Sequence, residues 1–269
     1  MTEILITGSE GFIGKHLVKK LLENSDNNLT LLDKVKRQDL TNNPNTYFIH
    51  ADLLKSKLPK DLTQHYDIIY HLAANSNANN SICRNFQMFQ NLIIHLTPFI
   101  FNCKRFIFTS SAAIYGNSSY GNDKLKTNYF IKRNSIPSTV FVLYNVYGKN
   151  NNKGIIYNFQ QALNKNKTFT INEDGNQTRD FVYIDDVIKI MIEFDQEGTF
   201  EIGTGISTSI NLLIDKLTNN HRDLYKINYS PGNPEEIIHS KCKKPLKFNY
   251  TKLDEGLKNI QKKGNNINA

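Results

Sequence analysis

Cysteine is scarce in this chain. Cys83, Cys103 and Cys242 are spread through 269 positions with no CxxC pair and no histidine-rich partner motif. Such spacing argues against a structural zinc site, so no metal is expected, and it fits a reducing, cytoplasmic location. Long apolar runs are lacking too. The most apolar stretch, NLIIHLTPFIF at 91–101, is interrupted by His95, Thr97 and Pro98 and is too short to span a bilayer. The opening MTEILITG carries Glu3 and too few apolar residues for an export signal, and it reads directly as a strand. No membrane association is expected. Internal repeats and low-complexity linkers are absent. The net charge of +8 comes from 33 Lys and Arg against 25 Asp and Glu. These basic residues are dispersed rather than gathered into a stripe, which argues against nucleic acid as a partner.

What the chain has in quantity is alternation. Short β-branched runs at 3–7, 28–32, 46–50, 67–72, 105–110 and 139–144 read as buried strands. Amphipathic segments lie between several of them. The clearest is 12–24, where Phe12, Ile13, Leu17, Val18, Leu21 and Leu22 share a face. Strand and helix in alternation predict an α/β fold, a doubly wound parallel sheet with helices on both faces. Beyond about residue 148 the pattern is mixed, with helices expected at 155–165, 184–194, 208–218 and 251–262. We therefore expect a Rossmann-like domain over 1–148, with 181–202 contributing back to it, and a smaller mixed α/β subdomain over 149–269.

ITGSEGFIG sets Gly8, Gly11 and Gly14 between the first strand and the first helix. Glycines here let the turn tighten, let backbone approach a pyrophosphate and let helix and strand pack closely, while the helix N-terminus offers amide donors. Phe12 and Ile13 open that helix. Asp33 ends the second strand, 19 residues beyond Gly14. A carboxylate there accepts hydrogen bonds from the adenosine ribose hydroxyls and repels a 2′-phosphate, which points to NAD rather than NADP. Lys34, Lys36 and Arg37 follow closely in the sequence.

The GxxGxxG spacing resembles the short-chain dehydrogenase/reductase superfamily, whose signature is a Tyr and a Lys four positions apart on one helix. Side chains at i and i+4 share a face, so an ammonium can sit beside a phenol. In SSAAIYGNSSYGNDK (110–124), Tyr115 has Ser119 at that position and Tyr120 has Lys124. The resemblance implies Tyr120 as catalytic base and Lys124 as holder of the nicotinamide ribose. It also implies a hydroxyl at the preceding strand end, Ser111 by position, with Ser110 its neighbour. An ordinary phenol ionises near pH 10, so a base working near neutrality must be brought down by about three. The lysine and a bound nicotinamide ring are the expected sources.

Further motifs resemble the extended members of the superfamily that act on nucleotide sugars, the NAD-dependent epimerase/dehydratase family. ADLL with Asp52 and Leu53 is similar to the adenine-contacting segment. HLAA, with Leu72, Ala73 and Ala74, is similar to the strand end over the cofactor. YNVYG (144–148) implies a substrate contact for Asn145, and DGNQTRDFVYIDDV (174–187) a substrate-diphosphate contact for Arg179. Three features depart from the family pattern. Ser111 and Tyr120 are only nine positions apart. The helix expected over 83–102, which in relatives helps form a homodimer, is short. Ile238 stands where relatives carry an arginine.

Sugar 4,6-dehydratases in this family place an acid pair directly after the catalytic hydroxyl, because eliminating water needs an added acid and base. Here Ala112 and Ala113 occupy those positions. The implied chemistry is reversible hydride transfer at one carbon, with C4 epimerisation of a UDP-hexose as the leading expectation. A nucleotide-4-keto-sugar reductase could use the same residues. A non-catalytic NAD-binding sensor or scaffold is the reading from another class.

Overall fold

The computed structural model describes residues 1–35, 43–55, 59, 62, 65–75, 84–96, 103–232 and 237–261. Cys83, Lys36, Arg37 and part of the 83–102 helix expectation lie outside them. Along the chain run β1 (Thr2–Thr7), α1 (Phe12–Leu21), β2 (Asn27–Asp33), β3 (Thr46–His50), β4 (Ile68–His71), α2 (Arg84–Leu96), β5 (Arg105–Ser111), α3 (Ser119–Arg133) and β6 (Thr139–Leu143). There follow β7 (Asn145–Tyr147), α4 (Gly154–Asn164), β8 (Phe169–Asn172), β9 (Thr178–Tyr183), α5 (Ile184–Glu193), β10 (Gly198–Ile202), β11 (Ser207–Ser209), α6 (Ile210–Leu217), β12 (Ile227–Ser230) and α7 (Leu253–Gln261). The chain divides into two units, Met1–Val142 with Ile190–Phe200, and Leu143–Lys189 with Glu201–Ala269.

The first unit is built on a seven-stranded sheet of order β10-β6-β5-β4-β1-β2-β3. β1 pairs in parallel with β2 and β4, β2 with β3, and β4 with β5. This is the doubly wound α/β arrangement the alternation predicted. Strands such as β1 read as unbroken apolar runs because both faces of the sheet are covered. Ile4, Leu5 and Ile6 are at most 1% exposed. On one side α2 places Phe89, Leu92 and Leu96 in a core with Leu5, Phe106 and Phe108. Each such side chain contributes roughly 1.5–3 kcal/mol on burial, and together they fix the strand ends that carry the polar residues.

The second unit holds two small sheets. β9 pairs antiparallel with β11 and parallel with β7, and β8 pairs in parallel with β12. Residues 145–147 form β7, because β9 offers them a parallel partner from Phe181 to Tyr183. Asp180 on β9 is completely buried. Its carboxylate accepts the Thr204 amide at 2.8 Å, the Thr204 hydroxyl at 2.7 Å, the Gly205 amide at 2.8 Å and the Cys242 amide at 3.0 Å. Four donors satisfy a charge that would otherwise be costly to bury. They also hold β9 in place beside its neighbouring loops.

Candidate active site

The turn between β1 and α1 has no room for side chains at Gly8 and Gly14. Gly8 has φ of +73°, and a Cβ there would lie 2.7 Å from the Ala73 nitrogen; one on Gly14 would lie 2.3 Å from the Gly8 carbonyl oxygen. Gly11 is the N-cap of α1, with no side-chain cap and no acidic residue in the first turn. Phe12 and Ile13 are the first helical residues, so their amides belong to a helix start that an anion can satisfy. Leu72 and Ala73 close the other side of the turn, their amides donating to the Thr7 carbonyl at 3.1 Å and the Thr7 hydroxyl at 3.3 Å. Ala74, next in line, is exposed.

Asp33 is the last residue of β2. One carboxylate oxygen accepts the Glu10 amide at 3.0 Å and the other the Val35 amide at 3.1 Å. A carboxylate oxygen has capacity beyond one bond, so both retain acceptor sites for a ribose diol. Asp52 follows β3 and accepts the Leu54 amide at 3.0 Å, while Leu53 is buried beneath it. A turn with glycine at its close approaches, an uncapped helix start and a carboxylate at the next strand end fit a dinucleotide.

β5 delivers Ser111 to the second half of the site. The Ser111 hydroxyl accepts the Ala113 amide at 3.2 Å and so starts a short 3-10 turn, Ala112–Tyr115. Ser118 then caps α3, accepting the Gly121 amide at 3.1 Å. A Cβ on Gly121 would stand 2.0 Å from the Ala113 carbonyl oxygen. Because that position is glycine, the first turn of α3 presses directly on the 3-10 turn. This close approach brings Tyr120 back towards Ser111 in nine positions, near enough for the serine hydroxyl to ease ionisation of the phenol. Tyr115 is 61% exposed, so of the two tyrosines it is Tyr120 that meets Ser111.

Lys124 is 2% exposed. Its Nζ donates to the Thr109 carbonyl at 2.8 Å and lies 4.7 Å above the Phe108 ring. Burial pushes it down to about 8, against the opposing pull of Asp123. Tyr120 is pushed up to about 12 by burial, only partly offset by the Ser111 hydroxyl, with Asp123 raising it further. The protein alone therefore moves the phenol away from a neutral-pH base, opposite to the direction catalysis requires. Ser110 is also buried, and its hydroxyl has no partner among the described residues.

Asp123 was not singled out from the sequence. It is 2% exposed and accepts the Asn85 amide at 2.7 Å and the Phe86 amide at 3.3 Å. It thus satisfies the first turn of α2 from a neighbouring helix and complements that helix's positive end. Gly121 was likewise missed, since only the fold reveals what its Cβ would strike.

In the second unit, Asn145 starts β7 opposite Phe181. Arg179 lies on β9 opposite Thr208, its Nη1 donating to the Thr178 carbonyl at 2.9 Å and the Ile238 carbonyl at 3.3 Å. The Ile238 that replaces an expected arginine thus serves Arg179 through its backbone. The segment continues as a bridge from His239 to Thr178. Among the described residues no group of three His, Cys, Asp or Glu could hold a metal ion, and no helix is long and apolar enough to cross a membrane.

Known proteins share this architecture. A putative UDP-glucose 4-epimerase of Methanocaldococcus jannaschii is 31% identical over 245 residues, covering 79% of this chain and 80% of that protein. A human dTDP-D-glucose 4,6-dehydratase is 26% identical, covering 80% of this chain and 72% of that protein. The crystal structure of UDP-glucuronic acid 4-epimerase from Bacillus cereus, in complex with UDP-glucuronic acid and NAD, superposes with a TM-score of 0.85 at 26% identity, covering 97% of this chain and 98% of that one. The model of the NAD dependent epimerase/dehydratase family matches residues 4–203, from within β1 to just beyond β10, and the chain belongs to that family.

Proposed function

We propose that this protein is an NAD-dependent nucleotide-sugar epimerase that inverts C4 of a UDP-hexose through a 4-keto sugar. The observation that carries this reading is the corner where Tyr120 comes back beside Ser111, with Lys124 one turn further on, and where Ala112 and Ala113 follow the serine. The corner can move a proton at one oxygen but has no adjacent acid to expel water. That separates it from dehydratase chemistry, although dehydratases are among its relatives. Relatives named as UDP-sugar 4-epimerases support the choice of nucleotide and carbon.

In this mechanism Tyr120 Oη takes the proton of the C4 hydroxyl while the Ser111 hydroxyl holds the same oxygen. Bound NAD supplies the hydride acceptor and later the donor, together with positive charge near the phenol. Lys124 holds the cofactor ribose and adds its own charge, which lowers the proton affinity of Tyr120. After the keto sugar turns over, Tyr120 returns the proton to the oxygen on C4. The second unit serves as the substrate-binding subdomain, with Arg179 on the diphosphate and Asn145 on the sugar. The homodimer forms through α2 and α3, whose Ile94 and Tyr129 are 69% and 65% exposed. The scattered thiols support a cytoplasmic location.

The test is an NMR time course of the purified protein with NAD and a panel of UDP-hexoses, following the anomeric signals. A C4 epimer appearing without net NADH is the expected result. Conversion only of 4-keto sugars with reduced cofactor would move the assignment to a ketoreductase.

A further inference from the structure

The mechanism above leaves a buried imidazole unused. His71, the last residue of β4, is 1% exposed. Its Nδ1 lies 2.8 Å from the Thr7 hydroxyl oxygen, which also accepts the Ala73 amide. Thr7 directly precedes Gly8, so this edge of the ring is tied to the phosphate turn. The imidazole packs nearly parallel to Phe108, at 19° and 5.8 Å between centroids, and the same Phe108 ring carries the Lys124 ammonium. The Thr109 hydroxyl donates to the His71 carbonyl at 3.3 Å, and the Thr109 carbonyl accepts Lys124. One residue thus joins the glycine turn, through Thr7, to the lysine, through Phe108 and Thr109.

His71 Nε2 has no hydrogen-bond partner among the described residues. A buried polar atom without a partner is destabilising, and a phenylalanine would fill the same space without one. Keeping an imidazole here therefore points to a use for its nitrogens rather than its volume. Thr7 Oγ1 has two lone pairs and can accept both Ala73 N–H and an imidazole N–H. With its hydrogen on Nδ1 the ring gives Thr7 a donor and leaves a lone pair, not an unpaired N–H, on Nε2.

We propose that His71 is a positioning residue, an uncharged imidazole with its hydrogen on Nδ1 and donated to Thr7, which fixes the spacing between the glycine turn and the Lys124 ammonium. The proposal rests on the reading of Lys124 as the group that holds the cofactor ribose. His71 touches no substrate and acts through Thr7, Phe108 and Thr109. Burial, reinforced by the charge of Lys124, holds it down to about 3, so the ring stays neutral throughout the working pH range. The ionisable groups around Lys124 are then Asp123 and Tyr120 on its own helix and this neutral ring on β4.

The test uses the full chain and three variants, His71→Phe, Thr7→Val and Lys124→Met, each measured for melting temperature, NAD affinity by calorimetry, and kcat and KM for the sugar nucleotide. His71→Phe is expected to keep its melting temperature, to bind NAD about tenfold more weakly and to lose roughly 10²-fold in kcat at unchanged KM, the scale of a misplaced reacting group. Its kcat–pH profile is expected to fall on the alkaline side at lower pH, because the lysine loses a polar neighbour. Thr7→Val is expected to show the same pattern at about a tenfold loss in kcat, and it decides the matter if His71→Phe does not fold. Nitrogen-15 spectra of histidine-labelled protein, assigned by difference from His71→Phe, are expected to show an unprotonated Nε2 that does not titrate.

If Lys124→Met binds NAD as the parent does, the reading of the lysine fails. If Lys124→Met loses NAD while Thr7→Val and a folded His71→Phe retain parental affinity, kcat and pH profile, only the proposal for His71 is overturned. Loss of activity matched by loss of folded protein in both variants would also overturn it, leaving His71 a plain core residue, and a protonated Nε2 would overturn its tautomer.

Discussion

The two halves of the candidate site, both in the first unit, are built in different ways. The cofactor turn is a local device. Gly8, Gly11 and Gly14 lie within seven positions, and side chains on Gly11 and Gly14 would strike that same turn, while one on Gly8 would strike Leu72 and Ala73. The proposed catalytic corner is a packing device. Ser111 and Tyr120 meet because α3 presses on the 3-10 turn through Gly121, and Lys124 sits where β5 offers the Thr109 carbonyl and the Phe108 face. A turn of the first kind tolerates change elsewhere in the core. A corner of the second kind depends on the position of a whole helix.

The largest expected effect breaks the chemistry and leaves the packing. Tyr120→Phe removes only a hydroxyl, so epimerisation falls roughly 10³-fold while NAD still binds by calorimetry; parental turnover would assign the base elsewhere. Next comes Gly121→Ala, which sets a methyl group against the Ala113 carbonyl. It is expected to reduce kcat roughly 10²-fold by displacing Tyr120 and to destabilise the fold by about 1–3 kcal/mol. Unchanged kinetics would show that the close approach is not what places the tyrosine.

Asp33→Ala probes the local device alone. It is expected to weaken NAD about tenfold, the worth of one or two ribose hydrogen bonds, with less effect on NADP and a small loss of melting temperature without cofactor, since the Glu10 and Val35 amides lose their acceptor. Equal loss for both cofactors would remove the reason for choosing NAD. The smallest effect is thermodynamic. Folded Lys124 releases its proton at about 8, whereas an unfolded lysine does so near 10.4. Between these values the unfolded chain holds more protons, so this residue's contribution to stability rises with pH, and below about 8 the full cost of burying the charge is present. Tyr120 has the opposite sign, favouring the folded chain less as pH rises from about 10 to about 12. In denaturant titrations from pH 8 to 10 without cofactor, Lys124→Met is expected to be flatter than the parent; identical slopes would mean that the lysine is not buried as a cation.

Much of this was legible beforehand. Strands β1 to β6 fall where apolar β-branched runs predicted them, because burial on both faces writes itself into composition. The i and i+4 spacing predicts Tyr120 rather than Tyr115 as the base, and the choice belongs to the proposed mechanism; in the fold Tyr115 is exposed. The residues that were missed make contacts distant in the chain. Asp123 caps a helix that begins 39 positions earlier, and His71 meets Thr7 across 64 positions. Neither relation leaves a periodic mark on the sequence. The expected lowering of the tyrosine was likewise beyond reach of a sequence, since spacing shows which groups are near but not how deeply they are buried.

By itself the sequence determined what is local: the glycine turn, the carboxylate at the end of β2, the alternation that closes a parallel sheet, and the absence of an acid pair after Ser111. These depend on the steric limits of a few adjacent residues or on the periodicity of burial. Only the tertiary structure decided how a nine-position link returns Tyr120 to Ser111, why Asp123 is inside, and that Lys124 and Tyr120 are pushed by burial toward their neutral forms. Those outcomes depend on distances between elements and on the exclusion of water, which no short stretch of the chain encodes.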